Sequence, residues 1–175
     1  MPETPEAKRS FPPFVDARSR VLVLGTLPGE ESLRRQQYYA HPRNLFWPII
    51  FALFGASVPE SYDERVRFVR DHGIALWDVV ESGTRTASAD ATIRAEIPNA
   101  IPELLNAYPG IRAVAFNGGG ARRLYERHFA RPPDLTYLAL PSTSPAYERI
   151  GFAAKLAQWQ ALREVLSGGS EIQNL

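Results

Sequence analysis

The chain has 175 residues, 45% of them hydrophobic and 22% charged, with a net charge of +1 and no cysteine. That balance suits one globular domain with a sizeable core, and so small a net charge gives no global argument for a polyanionic partner. Without thiols there is no disulfide, thiolate nucleophile, iron–sulfur cluster or cysteine zinc site, and the three histidines are too scattered for a histidine metal site.

Residues 1–19 are rich in proline and charge and are expected to form an extended lead-in, with no apolar h-region of a secretory signal. Arg20–Gly25 (RVLVLG) is a near-continuous apolar run closed by glycine, the pattern of a strand buried on both faces. After the loop TLPGEES, Glu30–Gln36 suits a short helix. Asn44–Phe54 reads as a helix with Pro48 in its first turn, where a missing N–H does little harm. Ser61–His72 carries Tyr62, Val66 and Val69 at helical spacing, and Gly73 is its stop.

Ile74–Val80 is the second strand. Glu81–Asn99 is polar and rich in small residues and is expected to be a long surface loop, a length often tied to function. Pro102–Tyr108 is a short helix, Ile111–Phe116 the third strand, Gly119–Phe129 a helix and Leu135–Leu140 the fourth strand. PSTSPAYERIG and a final helix to about Leu166 complete the domain, with a flexible tail expected at 169–175. Strands alternating with helices predict a three-layer α/β/α single domain over 20–168, its central four-stranded sheet mainly parallel. No segment is long and apolar enough to span a membrane, so a cytoplasmic location is expected.

Ligands of such folds collect at the carboxyl ends of the strands. The segments there are Thr26–Asn44, Asp78–Arg85, the run Asn117-Gly118-Gly119-Gly120-Ala121, and Pro141–Ala146. The glycine run could expose donors to a phosphate or allow close approach of helix and strand; it matches neither a dinucleotide fingerprint nor a P-loop. Phe46 and Trp47, at the start of an apolar helix, read as core. His41, before Pro42, reads as a hydrogen-bonded turn residue. Asn44 has two readings: an N-cap for the helix beside it, or an amide that holds a water next to an aromatic pair. Eighteen of the basic residues are arginine, and only Lys8 and Lys155 are lysine. Codon composition accounts for that bias, although arginine is the better phosphate fork.

Gly25-Thr26-Leu27-Pro28-Gly29, followed by Tyr38-Tyr39-Ala40-His41-Pro42-Arg43-Asn44-Leu45-Phe46-Trp47, resembles the first motif of the uracil-DNA glycosylase superfamily. It is most similar to the mismatch-specific branch and its hypoxanthine-DNA (deoxyinosine) glycosylase relatives. Leu140-Pro141-Ser142-Thr143-Ser144-Pro145-Ala146 resembles the second motif, the loop that pinches and penetrates the duplex. The resemblance spans residues 20–166. Two departures bear on activity. Leu27 stands where the uracil-removing branches keep a water-activating side chain, and Leu140 stands where their second motif opens with histidine or asparagine. The hypoxanthine-removing relatives share this pattern.

The resemblance implies that Asn44 carries catalysis, that Tyr39 stacks on the extruded base, and that Asp78 falls where other branches keep a base-reading asparagine. Backbone groups at Gly25, Thr26 and Leu27 would hold the departing base. Pro141, Ser142, Thr143, Ser144, Pro145 and Tyr147 would contact the duplex, through hydroxyls and nearby amides suited to phosphate. Tyr147 is either the bulky side chain that fills the gap in the stack or a buried structural residue. The activity implied is hydrolytic removal of a deaminated base, hypoxanthine first and uracil as the alternative, from DNA by a monomer without metal or cofactor. The rivals are a silent nucleic-acid-binding domain on this fold and a nucleotide-binding protein using Gly118–Gly120.

Overall fold

The computed structural model of the chain describes residues 6–85 and 93–168. The first half contains β1 (Lys8–Arg9), β2 (Val21–Gly25), α1 (Glu30–Arg35), α2 (Phe46–Leu53), α3 (Tyr62–Asp71) and β3 (Ile74–Asp78). The second contains β4 (Val80–Thr84), β5 (Arg94–Pro98), α4 (Ile101–Ala107), β6 (Ala113–Asn117), α5 (Gly119–His128), β7 (Thr136–Leu140) and α6 (Phe152–Gly168).

Four strands form one sheet in the order β3-β2-β6-β7, with every pairing parallel. Their apolar runs are continuous because successive side chains enter different cores. Val21 and Val23 join Ile74, Leu76, Ala113 and Ala115 beneath α2, α3 and α6. Leu22 and Leu24 join Ala75, Val114 and Phe116 beneath α4 and α5. The result is the expected helix–sheet–helix sandwich. Full burial of each large aliphatic side chain contributes roughly 1.5–3 kcal/mol.

Register decides where the site lies. Gly25 pairs with Asp78 and Asn117 with Leu140, while Leu24 pairs with Phe116. The last residues of the four strands therefore stand in one row. The order also reverses direction at β2, whose successor in the sheet lies on one side and β6 on the other. A crevice at the carboxyl ends of β2 and β6 is the topological switch point of an open α/β sheet.

Several sequence expectations need correction. The strand expected over Ile74–Val80 ends at Asp78, and Val80 opens a different sheet. Glu81–Asn99 is not a loop in its described parts. β4 and β5 pair antiparallel, with β1 on the other edge of β4, in a second sheet ordered β1-β4-β5. Residues 86–92 of the expected loop, like the expected tail at 169–175, lie outside the described residues. The expectation of an extended lead-in stands beside an added finding, that its described part, residues 6–19, packs on the domain: Phe14 bridges Leu76, the Tyr38 hydroxyl donates to the Pro12 carbonyl, and Trp77 Nε1 donates to the Phe11 carbonyl. The helix expected from Asn44 begins at Phe46.

Other expectations hold. Ser61 Oγ accepts the Glu64 N–H at the start of α3, and Gly73 ends it at φ +77°. Phe46 and Trp47 are both buried. The run after β6 serves close approach: Gly118 sits at φ +95°, and a Cβ there would lie 2.9 Å from Ser142 Cβ. Only glycine meets both demands at low cost.

Candidate active site

A cavity of about 560 Å³ opens at the switch point. Gly25, Thr26, Leu27, Tyr39, Asn44 and Asp78 line it on one side, and Ser142, Thr143, Ser144 and Pro145 on the other. His41, Arg85 and Asn117 also reach it. Of the residues expected to contact base or DNA, Pro141 and Tyr147 are not in its wall. Tyr147 instead borders a shallower depression beyond Ser144 and Pro145.

The floor is built at Gly25. A Cβ at this position would lie 2.6 Å from Asp78 Oδ1 and 3.4 Å from the Tyr39 hydroxyl. The bare α-carbon thus lets the Asp78 carboxyl and Tyr39 converge. Asp78 is buried. Beside it, burial first and the Asp78 charge second push the Tyr38 hydroxyl well above its ordinary value, so Tyr38 stays a donor to Pro12.

Tyr39 takes a left-handed backbone, φ 53°, which costs a residue with a Cβ on the order of 1 kcal/mol. Its surroundings hold it there. Ala40 N–H donates to Ser32 Oγ at 3.1 Å, Tyr38 N–H to the Tyr62 hydroxyl at 3.0 Å, and Trp47 Nε1 to the Tyr38 carbonyl at 3.0 Å. The Tyr39 ring stacks on Phe46, centroids 3.9 Å apart and planes within 24°. Phe46 in turn meets Trp159 edge-on. The platform therefore rests on the core, and offset stacking is a favoured geometry for such pairs.

Asn44 meets the cap reading in part: the N-cap position of α2 is Leu45, and the Asn44 side chain reaches past it to the helix. Its Oδ1 accepts the Phe46 N–H at 2.9 Å, one of the orphan donors that open α2. Its own N–H donates to the His41 carbonyl at 2.9 Å. One bond to Oδ1 leaves a carbonyl oxygen a second lone pair, and the Nδ2 hydrogens remain as donors beside the cavity. His41 is the turn residue expected, its Nδ1 accepting the Arg43 N–H at 3.0 Å.

The second-motif loop is tied down by side chains from β6 and α6 and by the Leu45 backbone at the start of α2. Asn117 Nδ2 donates to Thr143 Oγ1 at 2.9 Å, and Asn117 Oδ1 accepts the Thr143 N–H at 3.0 Å. The Thr143 carbonyl accepts the Leu45 N–H at 3.0 Å. Thr143 is buried at 1% exposure, with its polar groups turned inward. The loop's amides are largely engaged: Ser144 N–H bonds Ser142 Oγ, Ala146 N–H bonds Ser144 Oγ, and Tyr147 N–H bonds the Ser144 carbonyl. The Ser142 and Ser144 hydroxyls accept in these bonds and keep their own protons to donate. From α6, Trp159 Nε1 holds the Pro141 carbonyl at 2.9 Å and Lys155 Nζ holds the Tyr147 carbonyl at 2.7 Å. Burial lowers the Lys155 pKa, and its ammonium lies 5.2 Å from the Tyr147 ring centroid.

Residues 12–163 match the family model described as the uracil DNA glycosylase superfamily. The chain belongs to that superfamily. It is 34% identical over 156 residues to a hypoxanthine DNA glycosylase of Methanosarcina acetivorans, covering 89% of this chain and 97% of the relative. A protein of the same name from Methanosarcina barkeri is 37% identical over 112 residues, 63% of this chain and 71% of the relative. A solution NMR structure from Methanosarcina acetivorans, named as a candidate uracil DNA glycosylase, superposes with a TM-score of 0.81 at 33% identity, covering 93% and 99% of the two chains. Within the superfamily fold, sequence reasoning gave no individual role to Arg85, Asn117, Ser32 or Lys155. Asn117 carried a signal, an amide closing a strand at the ligand-binding edge. The others depend on contacts that no local pattern carries.

Proposed function

We propose that this superfamily member is a monofunctional DNA glycosylase that removes deaminated bases, hypoxanthine first. The observation that carries the reading is the convergence of Asn44 and Tyr39 on one cavity whose loop offers leucine, at Leu27, in place of a water-activating side chain. The near full-length likeness to a protein named hypoxanthine DNA glycosylase supports it.

A base in duplex DNA is unreachable, so the nucleotide is extruded into the cavity. Its ring stacks on the face of Tyr39 opposite Phe46. Asp78, at the floor, is placed to accept from a ring N–H. Asn44 holds a water through its second lone pair and Nδ2. The C1′–N9 bond breaks with its electron pair leaving on the base, which N–H groups of Thr26 and Leu27 stabilise. The water oxygen joins C1′ and its proton passes to solvent or to the base, giving an abasic site and free hypoxanthine. The Ser142 and Ser144 hydroxyls donate to phosphate, and the loop from Pro141 to Tyr147 holds the base out, with Thr143 as its buried anchor.

An amine nucleophile is required for lyase chemistry through a Schiff base. Lys155 is committed to the Tyr147 carbonyl, and Lys8 lies 3.7 Å from Glu30. We therefore read the enzyme as leaving an abasic site, and as acting in the cytoplasm as a monomer without metal or cofactor. The test is a panel of duplex oligonucleotides with inosine, uracil, xanthine or no lesion, assayed for alkali-dependent strand breaks. Breaks at inosine above all others are expected. Binding without breaks would favour a silent DNA-binding domain, and a borohydride-trapped adduct would overturn the monofunctional assignment.

A further inference from the structure

Arg85 is the element of the cavity wall that the motifs do not account for. It follows β4, in the second sheet, and is 5% exposed. Its Nη2 donates to two successive carbonyls of the first-motif loop, Leu27 at 3.1 Å and Pro28 at 2.7 Å. The two carbonyls before them are held by the same stretch of chain. Gly25 O accepts the Val79 N–H at 2.9 Å, and Thr26 O accepts the Val80 N–H at 3.0 Å. Four consecutive carbonyls therefore point toward residues 79–85.

A trans peptide is planar, with its N–H directed opposite its carbonyl. Pinning the Gly25 and Thr26 carbonyls to one side turns the Thr26 and Leu27 N–H groups to the other. That side faces β6, the neighbour of β2 across from β3, and the cavity that Asn117 and Ser142 share. Pro28 has no N–H, so nothing in the Leu27–Pro28 peptide can bond toward the cavity, and the turn depends on its carbonyls for anchorage. A planar guanidinium suits that task because its donors lie in a fixed fork and its charge persists at any working pH.

Resting on the glycosylase reading, we propose that Arg85 is a positioning residue for departure of the base: it locks the Leu27–Pro28 turn so that the Thr26 and Leu27 amides are preorganised toward the leaving group. The second sheet thereby acquires a function, to deliver this side chain to the first motif.

The experiment is single-turnover base release from inosine-containing duplex as a function of pH, for the wild type, Arg85→Met and Arg85→Lys. A purine that leaves without ordered amide support must first be protonated on its ring. Arg85→Met is expected to slow release on the order of 10- to 100-fold, with DNA affinity little changed. Its rate should then climb, relative to wild type, as pH falls from about 8 to about 5. The other titratable groups at the cavity, Glu30, Glu31, Tyr38, Tyr39, His41 and Asp78, are common to all three proteins, and Arg85→Lys, which keeps the charge, controls for their response to its loss. Arg85→Lys keeps a cation and one carbonyl bond; it should fold, lose less rate, and follow the wild-type profile. If Arg85→Met melts early, the Lys variant carries the test through its rate, which should fall below wild type. An Arg85→Met profile parallel to wild type, a Lys variant that releases base as fast as wild type, or a defect confined to DNA affinity overturns the role of Arg85 alone. A wild type that releases no base from any lesion overturns the glycosylase reading and this role with it.

Discussion

The two walls of the cavity are both rigid, and they are made rigid by different means. In the first-motif wall the aromatic platform is held by packing: Tyr39 stacks on Phe46, which meets Trp47 and Trp159 edge-on. The second-motif wall is held by hydrogen bonds, from Asn117 to Thr143, from Trp159 to Pro141 and from Lys155 to Tyr147. Trp159 serves both, its ring against Phe46 and its N–H on Pro141. The difference teaches which groups remain for chemistry. Packing around the platform uses few of its polar atoms, so the first wall keeps the Asn44 amide beside the cavity. A hydrogen-bonded wall has engaged its amides, so the second offers only the outer protons of its serines.

The largest effect is expected at Asn44. Asn44→Ala removes the proposed water-holding amide, and single-turnover base release should fall ~100-fold or more, by analogy with deleting one transition-state hydrogen bond. The lost bond to Phe46 N–H costs about 1 kcal/mol, the usual scale for a helix cap, so the protein should stay folded and bind inosine-containing DNA. A lowered melting temperature with near-normal turnover would make Asn44 a cap and nothing more.

Next in size is the platform. Tyr39→Ala removes one stacking surface, worth ~1–3 kcal/mol per base, and should weaken binding to lesion-containing duplex by that amount. It also relieves little of the backbone strain, because alanine keeps a Cβ at φ 53°. Tyr39→Phe should retain the affinity. Equal losses in the two variants, measured by fluorescence anisotropy, would shift the role from the ring face to the hydroxyl near Gly25.

The parallel sheet was legible because burial on two faces leaves an unmistakable apolar run, as in Val21–Leu24 or Ala113–Phe116. Helix α3 announced itself by Ser61 and Gly73. The first motif was legible as a site because several unusual residues stand together in the chain. The second sheet was not: β4 and β5 are five residues each, polar, and shifted in register at two points, and β1 reaches β4 from the far N-terminus. Arg85 shared that obscurity, since its partners are carbonyls that only the fold brings near. The choice between cap and site at Asn44 could not be made from spacing because the oxygen serves the helix while the same side chain lines the cavity.

Asn117 tests the hydrogen-bonded wall. Asn117→Ala leaves the buried Thr143 N–H and Oγ1 without partners, at about 1–3 kcal/mol of stability. Chemical denaturation should show a lower midpoint with an unchanged slope. The platform is untouched, so release measured at saturating DNA should fall less than in Asn44→Ala. A drop in release as large as that of Asn44→Ala would mean that the two walls are one mechanical unit, coupled through the Leu45–Thr143 bond.

The smallest effect is expected at the serines, and it has the sharpest signature. The double variant Ser142→Ala, Ser144→Ala removes two hydroxyl donors and also the acceptors for Ser144 and Ala146 N–H. If the hydroxyls contact phosphate, affinity should fall modestly and alike for lesion-containing and undamaged duplex, because phosphate contacts position without reading sequence. Neutral donors displace few counterions, so the slope of log Kd against log salt should stay within about one unit of wild type. Lysine or arginine contacts would instead change that slope. The freed backbone amides complicate the outcome in a useful direction: once released, they could themselves bond phosphate. Unchanged affinity at moderate salt, with amide exchange in the loop also unchanged, would reduce the second wall to a brace for Pro145 and leave duplex contact to other residues. Faster exchange with weaker binding is the expected pair, since one oxygen in each serine is proposed to hold the loop and its hydrogen to hold the DNA.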